Sequence, residues 1–122
     1  MMNWWFEKGI DGFRVDAITH IKKNFEAGDL PVPDGKKFAP AFDVDMNQPG
    51  IQEWLQEMKD KSLSRYDIMT VGEANGVTPN DAEEWVGEEN GKFNMIFQFE
   101  HLGLWSTGDT KFDVKSYKQV LN

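Results

Sequence analysis

The stretch Gly12-Phe13-Arg14-Val15-Asp16-Ala17 alternates apolar Phe13 and Val15 with Arg14 and Asp16, the period-2 pattern of a strand that carries an arginine and an aspartate to its exit. Two residues apart, Arg14 and Asp16 project from one face. With Ile10 included, the strand is predicted over Ile10 to Asp16. A second apolar run, Ile68-Met69-Thr70-Val71-Gly72-Glu73, suits a strand covered on both faces and also ends in an acid. Phe93-Asn94-Met95-Ile96-Phe97-Gln98-Phe99 is a third strand segment, rich in β-formers.

Helical patterns lie between and around these strands. Met1 to Lys8 reads as the last turns of a helix closed by Gly9. Ala17, Ile18, Ile21 and Phe25 predict a short helix over Ala17 to Phe25, with His20 near its start. Gly28, Pro31, Pro33, Gly35 and Pro40 exclude a long helix or central strand from Glu26 to Phe42, a long loop of the kind that is functional or disordered. Asn47-Gln48-Pro49-Gly50 offers a cap and an early proline to an amphipathic helix with the apolar stripe Ile51, Trp54, Leu55 and Met58. Thr78-Pro79-Asn80-Asp81 supplies a cap, a proline and an acid three residues after the cap, predicting a short helix through Trp85. Gly103 to Asp113 is predicted to be irregular, and Val114, Tyr117, Val120 and Leu121 begin a further helical stripe.

Alternation of helices with short buried strands predicts an α/β fold with a parallel sheet. Three such strands leave two unpaired sheet edges, which natural folds avoid by adding strands or closing a barrel. Residues 1 to 122 are therefore expected to be a slice of something larger, with no internal domain boundary.

Asp16 and Glu73 fall at the C-terminal ends of successive predicted strands, where parallel α/β folds gather their active sites. Paired carboxylates can divide the work of glycoside cleavage, one attacking the anomeric carbon while the other protonates the leaving oxygen; retention requires them about 5 Å apart. A guanidinium beside Asp16 would hold it ionised and oriented, as a nucleophile requires. Glu73 would have to keep its proton, which calls for apolar surroundings or a nearby negative charge. On spacing alone, an Arg14–Asp16 ion pair that merely closes the strand end accounts for the same residues. His20 follows Asp16 by about one helical turn and can line the same crevice, although a lone histidine is more often structural. Asp43 and Asp45 lack the dense oxygen-ligand spacing of a calcium loop and read as turn and cap residues, so neither a metal nor a cofactor is expected. Asn75-Gly76 is a turn signal at the crevice rim.

Composition narrows the function classes. Among 122 residues, 13 lysines and arginines face 21 acids, and the net charge of −8 argues against nucleic acid or an anionic membrane as partner. The absence of cysteine excludes disulfides and thiolate metal sites and fits a reducing compartment. No apolar run is long enough to span a bilayer and the N-terminus shows no leader pattern, so a soluble cytoplasmic protein is expected. Five tryptophans and nine phenylalanines are expected to be mostly core.

At the strand ends the sequence resembles the α-amylase family of glycoside hydrolases, whose catalytic domain is a (β/α)8 TIM barrel. Gly12-Phe13-Arg14-Val15-Asp16-Ala17 looks like the motif ending the fourth barrel strand, and Gly72-Glu73-Ala74-Asn75 like that of the fifth. The resemblance implies that Asp16 is the nucleophile and Glu73 the general acid/base. It is closest to the bacterial α-glucosidase and oligo-1,6-glucosidase branch and extends through Asn94-Met95-Ile96-Phe97-Gln98-Phe99-Glu100-His101. Arg14, Ala17, His20 and Asn75 are the implied substrate-binding positions. In that branch the residue after the nucleophile tracks linkage preference, and Ala17 implies α-1,4 rather than α-1,6 bonds. The family's Asn-His-Asp motif after the seventh strand and its Asp-Val-Val-Asn-His type of motif after the third are missing. The chain is thus expected to hold about strands four to six of a retaining, exo-acting α-glucosidase on short oligosaccharides. It is expected to be inactive alone and prone to self-associate through its open sheet edges. An oligo-1,6-glucosidase, a phosphotrehalose hydrolase or a non-catalytic barrel module are the alternatives.

Overall fold

A computed structural model describes residues 1–105 and 113–121. Along the chain α1 (Met2–Phe6), β1 (Gly12–Val15), α2 (Ile51–Lys61), β2 (Met69–Ala74), α3 (Ala82–Val86), β3 (Met95–Gln98) and α4 (Val114–Leu121) alternate as the periodicities predict. The strands form one sheet in the order β1-β2-β3, and both pairings are parallel. Gly12 lies opposite Met69 and Val15 opposite Gly72, while Glu73 lies opposite Phe97. Backbone packing explains why β1 opens on glycine: a Cβ on Gly12 would stand 1.7 Å from the Met69 carbonyl oxygen.

The core occupies one face of the sheet. Ala74 and Thr70 of β2 are buried there with Ile18, Leu55, Val77, Trp85 and Phe93. Asn94 ties β3 to β2, its Oδ1 accepting the Thr70 amide at 2.8 Å and its own amide donating to Thr70 Oγ1 at 3.2 Å. Trp85 and Phe93 stack with centroids 6.3 Å apart. The predicted cap at Thr78 forms, with the Thr78 amide donating to Asp81 Oδ2 at 3.1 Å. Gly9 follows α1 with φ +87°, the left-handed stop expected of it.

Several expectations are corrected. β2 is covered on one face only, and the opposite row Met69, Val71 and Glu73 is open or half-buried. The aromatics are not mostly core: Phe6, Trp85 and Phe93 are buried, whereas Trp4, Trp5, Trp54, Phe25, Phe38, Phe42 and Phe97 are exposed, because a three-stranded sheet with helices on one side cannot enclose so many large rings. Trp54 therefore leaves the apolar stripe of α2, whose buried positions are Ile51 and Leu55. No helix spans Ala17 to Phe25; a single 3-10 turn, Ile18–His20, follows Ala17, and irregular chain runs on to Gly50. Lys23 and the Asn24 amide are drawn away from a helix axis to Asp45, at 3.2 and 3.0 Å, and Lys22 bonds the Pro49 carbonyl. Asn47 does not cap α2; left-handed Gly50 stands at that position without a side-chain bond. Residues 103–105 of the segment predicted to be irregular belong to the 3-10 turns Glu100–Trp105, and residues 106–112 of it lie outside the described residues. No helix among the described residues is long and apolar enough to cross a membrane.

Candidate active site

Register alone brings the two acids together. Val15 pairs with Gly72, so Asp16 and Glu73, the next residues, leave adjacent strands at the same level. Arg14, opposite Val71, shares the open face with Glu73. Its guanidinium forks between the two, with Nη1 2.5 Å from Asp16 Oδ1 and Nη2 2.5 Å from Glu73 Oε2. The sequence points to an arginine serving Asp16; the structure shows one that grips both carboxyls. The Asp16 carboxyl is held below the usual aspartate range, first by its hydrogen bond with the Glu73 carboxyl and then by the Arg14 charge. Asp16 is 74% exposed on its side chain and Glu73 20%, so the first meets solvent and the second is partly shielded.

Immediately after Asp16 the chain turns sharply. Ala17 sits in the left-handed region at φ +43°, uncommon for a residue with a Cβ, and this aims its N–H at Glu73 Oε2, 3.3 Å away. Ala17 thus touches the acid pair through its backbone. His20 hydrogen-bonds to neither acid. Its Nδ1 lies 3.1 Å from Thr19 Oγ1, its Nε2 3.1 Å from the Phe42 carbonyl, and its ring packs on Phe42 at 4.3 Å between centroids. The histidine predicted for the crevice thus also anchors the long loop. Asn75 follows β2, and its carbonyl accepts a bond from Asn47. Asp45 acts as the turn residue expected of it, kept below the ordinary aspartate range chiefly by the Asn24 amide. Among the described residues no group of three or more His, Asp or Glu could hold a metal. A cavity of about 400 Å³ opens at the other end of the sheet, lined by Lys59, Tyr66, Thr70, Phe93 and Asn94, away from the acids.

The sequence reading took Asn47-Gln48-Pro49-Gly50 only as a helix start. The signal within it is the asparagine itself, which enters the left-handed region more readily than most residues with a Cβ and lies there at φ +50°.

A parallel sheet with an Asp–Arg–Glu cluster at its carboxyl end is what a slice of a (β/α)8 barrel presents on the face where such barrels gather their sites. The whole chain, residues 1–122, matches the family described as Alpha amylase, catalytic domain, and it belongs to that family. It is 55% identical over 122 residues to the probable oligo-1,6-glucosidase 3 of Bacillus subtilis, covering 99% of this chain and 22% of the relative. It is 43% identical over 119 residues to the alpha-glucosidase of Pediococcus pentosaceus, covering 90% and 21%. The trehalose-6-phosphate hydrolase structure from Bacillus licheniformis superposes with a TM-score of 0.72 at 34% identity, over 98% of this chain and 21% of that one. The chain thus spans about a fifth of the length of the relatives it matches.

Proposed function

We propose that this chain is the part of a retaining, exo-acting α-glucosidase that carries both reacting carboxyls, Asp16 as nucleophile and Glu73 as general acid/base. The observation that carries the reading is the Asp16–Arg14–Glu73 cluster on adjacent strand ends. In the first step an Asp16 oxygen bonds to the anomeric carbon while the bond from that carbon to the leaving oxygen breaks, and the Glu73 carboxyl gives its proton to that oxygen. In the second, Glu73 takes a proton from water, the water oxygen bonds to the anomeric carbon, and Asp16 is released. Arg14 offsets the charge on Asp16 and fixes the geometry of the pair. Substrates are short α-glucosides, with Arg14, Ala17, His20 and Asn75 the surrounding binding positions. The reading includes a cytoplasmic setting, which the lack of cysteine supports.

Ala17 supports a preference for α-1,4 bonds. An α-1,6 preference is the second reading, favoured by likeness to proteins named oligo-1,6-glucosidase. Relative turnover of maltose and isomaltose by the complete enzyme, before and after Ala17→Val, separates them. Alone, the 122-residue chain is inactive and associates with itself, since β1 and β3 are edges among the described residues and Met69, Met95 and Phe97 lie exposed. Light scattering that finds only monomer removes the second part of that statement.

The central test is hydrolysis of an aryl α-glucoside by the complete enzyme carrying this segment. Asp16→Asn and Glu73→Gln each lower kcat by about 10⁴-fold or more with the fold intact. Retention of near-parent kcat in Asp16→Asn sinks the assignment.

A further inference from the structure

The feature that the proposed chemistry leaves unused is Asn47, where the long irregular segment after β1 returns to the sheet. Its backbone N–H donates to the Thr19 carbonyl at 2.8 Å, in the turn that follows Asp16. Its side-chain Nδ2 donates to two successive carbonyls, Asn75 at 3.1 Å and Gly76 at 3.0 Å, in the turn that follows Glu73. One residue thereby bonds to the exits of both strands that carry the acids. We infer that Asn47 is a positioning residue, which sets the spacing between Asp16 and Glu73 and holds the loop that bears the His20 contact. The inference rests on the glycosidase reading of that pair.

Three observations restrict the position to asparagine. First, φ of +50° disfavours β-branched and bulky side chains. Second, the fork onto two carbonyls needs two N–H donors on one nitrogen, which an amide has and a carboxylate lacks. Third, Asn47 Oδ1 is buried and meets no donor among the described residues, so the side chain's hydrogen bonds there run through Nδ2. The receiving turn is matched to it. Gly76 has φ +70°, and a Cβ there would stand 2.8 Å from Met46 Sδ and 3.0 Å from Asn47 Nδ2. Gln48 stiffens the approach by donating from Nε2 to the Val44 carbonyl at 2.7 Å. Thr19, the remaining partner, is fully buried, so the tether is anchored on the core rather than on mobile chain.

Aspartate has the same shape as asparagine and tolerates the same backbone, yet it turns two attractions into two oxygen–oxygen repulsions. In the complete enzyme Asn47→Asp should lower kcat by about 10- to 100-fold, as expected when a remote change displaces reacting groups by a fraction of an ångström to one ångström. KM should change less than kcat, and the limbs of the pH–rate profile should move, because the interaction of the two carboxyls depends on their separation. Amide hydrogen exchange at Asn75 to Val77 should quicken in the same variant, and Asn47→Gly should show the same exchange with a comparable loss of kcat. A folded Asn47→Asp enzyme with parent kcat and parent pH profile overturns the inference, as does a variant that loses thermal stability while kcat and the pH limbs stay put. If Asp16→Asn and Glu73→Gln are silent, the glycosidase reading has failed. If they abolish turnover while Asn47→Asp does not alter it, only the role of Asn47 has failed.

Discussion

On one side of β2, Thr70 and Ala74 are 2% and 0% exposed beneath a layer of helices; on the other, Met69 is 57% exposed and Glu73 stands beside an open guanidinium. The same six residues serve both sides, and the pleat separates them. Apolar contact stabilises the covered side. The open side is a display surface, whose Arg14, Asp16 and Glu73 hold one another by charge and hydrogen bond. In a closed barrel, such inward rows meet one another across the axis. Here, with about a fifth of the length of its relatives, the chain leaves that row and its charged cluster open.

If the two sides divide stability from chemistry, substitutions on each should separate the two properties. Leu55→Ala, on the covered side, removes a fully buried side chain and should cost about 2–5 kcal/mol in thermal or denaturant unfolding, with kcat of the folded enzyme unchanged. A large fall in kcat at full folding would break the division. Arg14→Lys, on the open side, keeps one charge but cannot fork between two carboxyls. It should lower kcat by about 100-fold with little effect on unfolding. Its pH signature has a definite sign. Arg14 helps to depress the Asp16 pKa, so weakening that contact lets Asp16 take up its proton at higher pH, and the acidic limb of kcat/KM moves upward. A limb that stays in place or moves down contradicts the role given to Arg14.

The smallest effect belongs to Thr78→Ala, in the cap beyond the exit of β2. It should cost about 1 kcal/mol of stability. Asp81 is held below the ordinary aspartate range first by the Thr78 hydroxyl and then by the Thr78 amide. A depressed carboxyl contributes its stability above its unfolded pKa and loses it as pH falls through the folded value. The gap between parent and variant in unfolding free energy should therefore narrow below about pH 4. A constant gap would assign the cap bond to something other than the ionised carboxylate.

Much of this was legible in the residues. Alternation in Phe13-Arg14-Val15-Asp16 and the apolar run to Glu73 located two strands and the acids at their ends, because side-chain direction along a strand follows its two-residue period. The capping pattern at Thr78 was equally local and formed as read. Ala17 to Phe25 misled because its apolar spacing suits a helix, whereas Lys22, Lys23 and Asn24 are engaged by Pro49 and Asp45, more than twenty residues along the chain. Trp54 misled for a related reason: periodicity assigns a face to a side chain but not what lies against that face.

The sequence by itself determined that Arg14, Asp16 and Glu73 stand at strand ends and which strands carry them, since strand period, capping and the two short motifs are local properties of consecutive residues. Only the tertiary structure decided that Arg14 bridges both carboxyls, that His20 turns to the loop, and that Asn47 joins the two strand exits. Each of those depends on the parallel register of β1 on β2 and on the return of a long segment across the sheet. Such contacts between distant residues leave no periodic trace in the chain, because the partner that satisfies a buried donor is chosen by where the fold brings it.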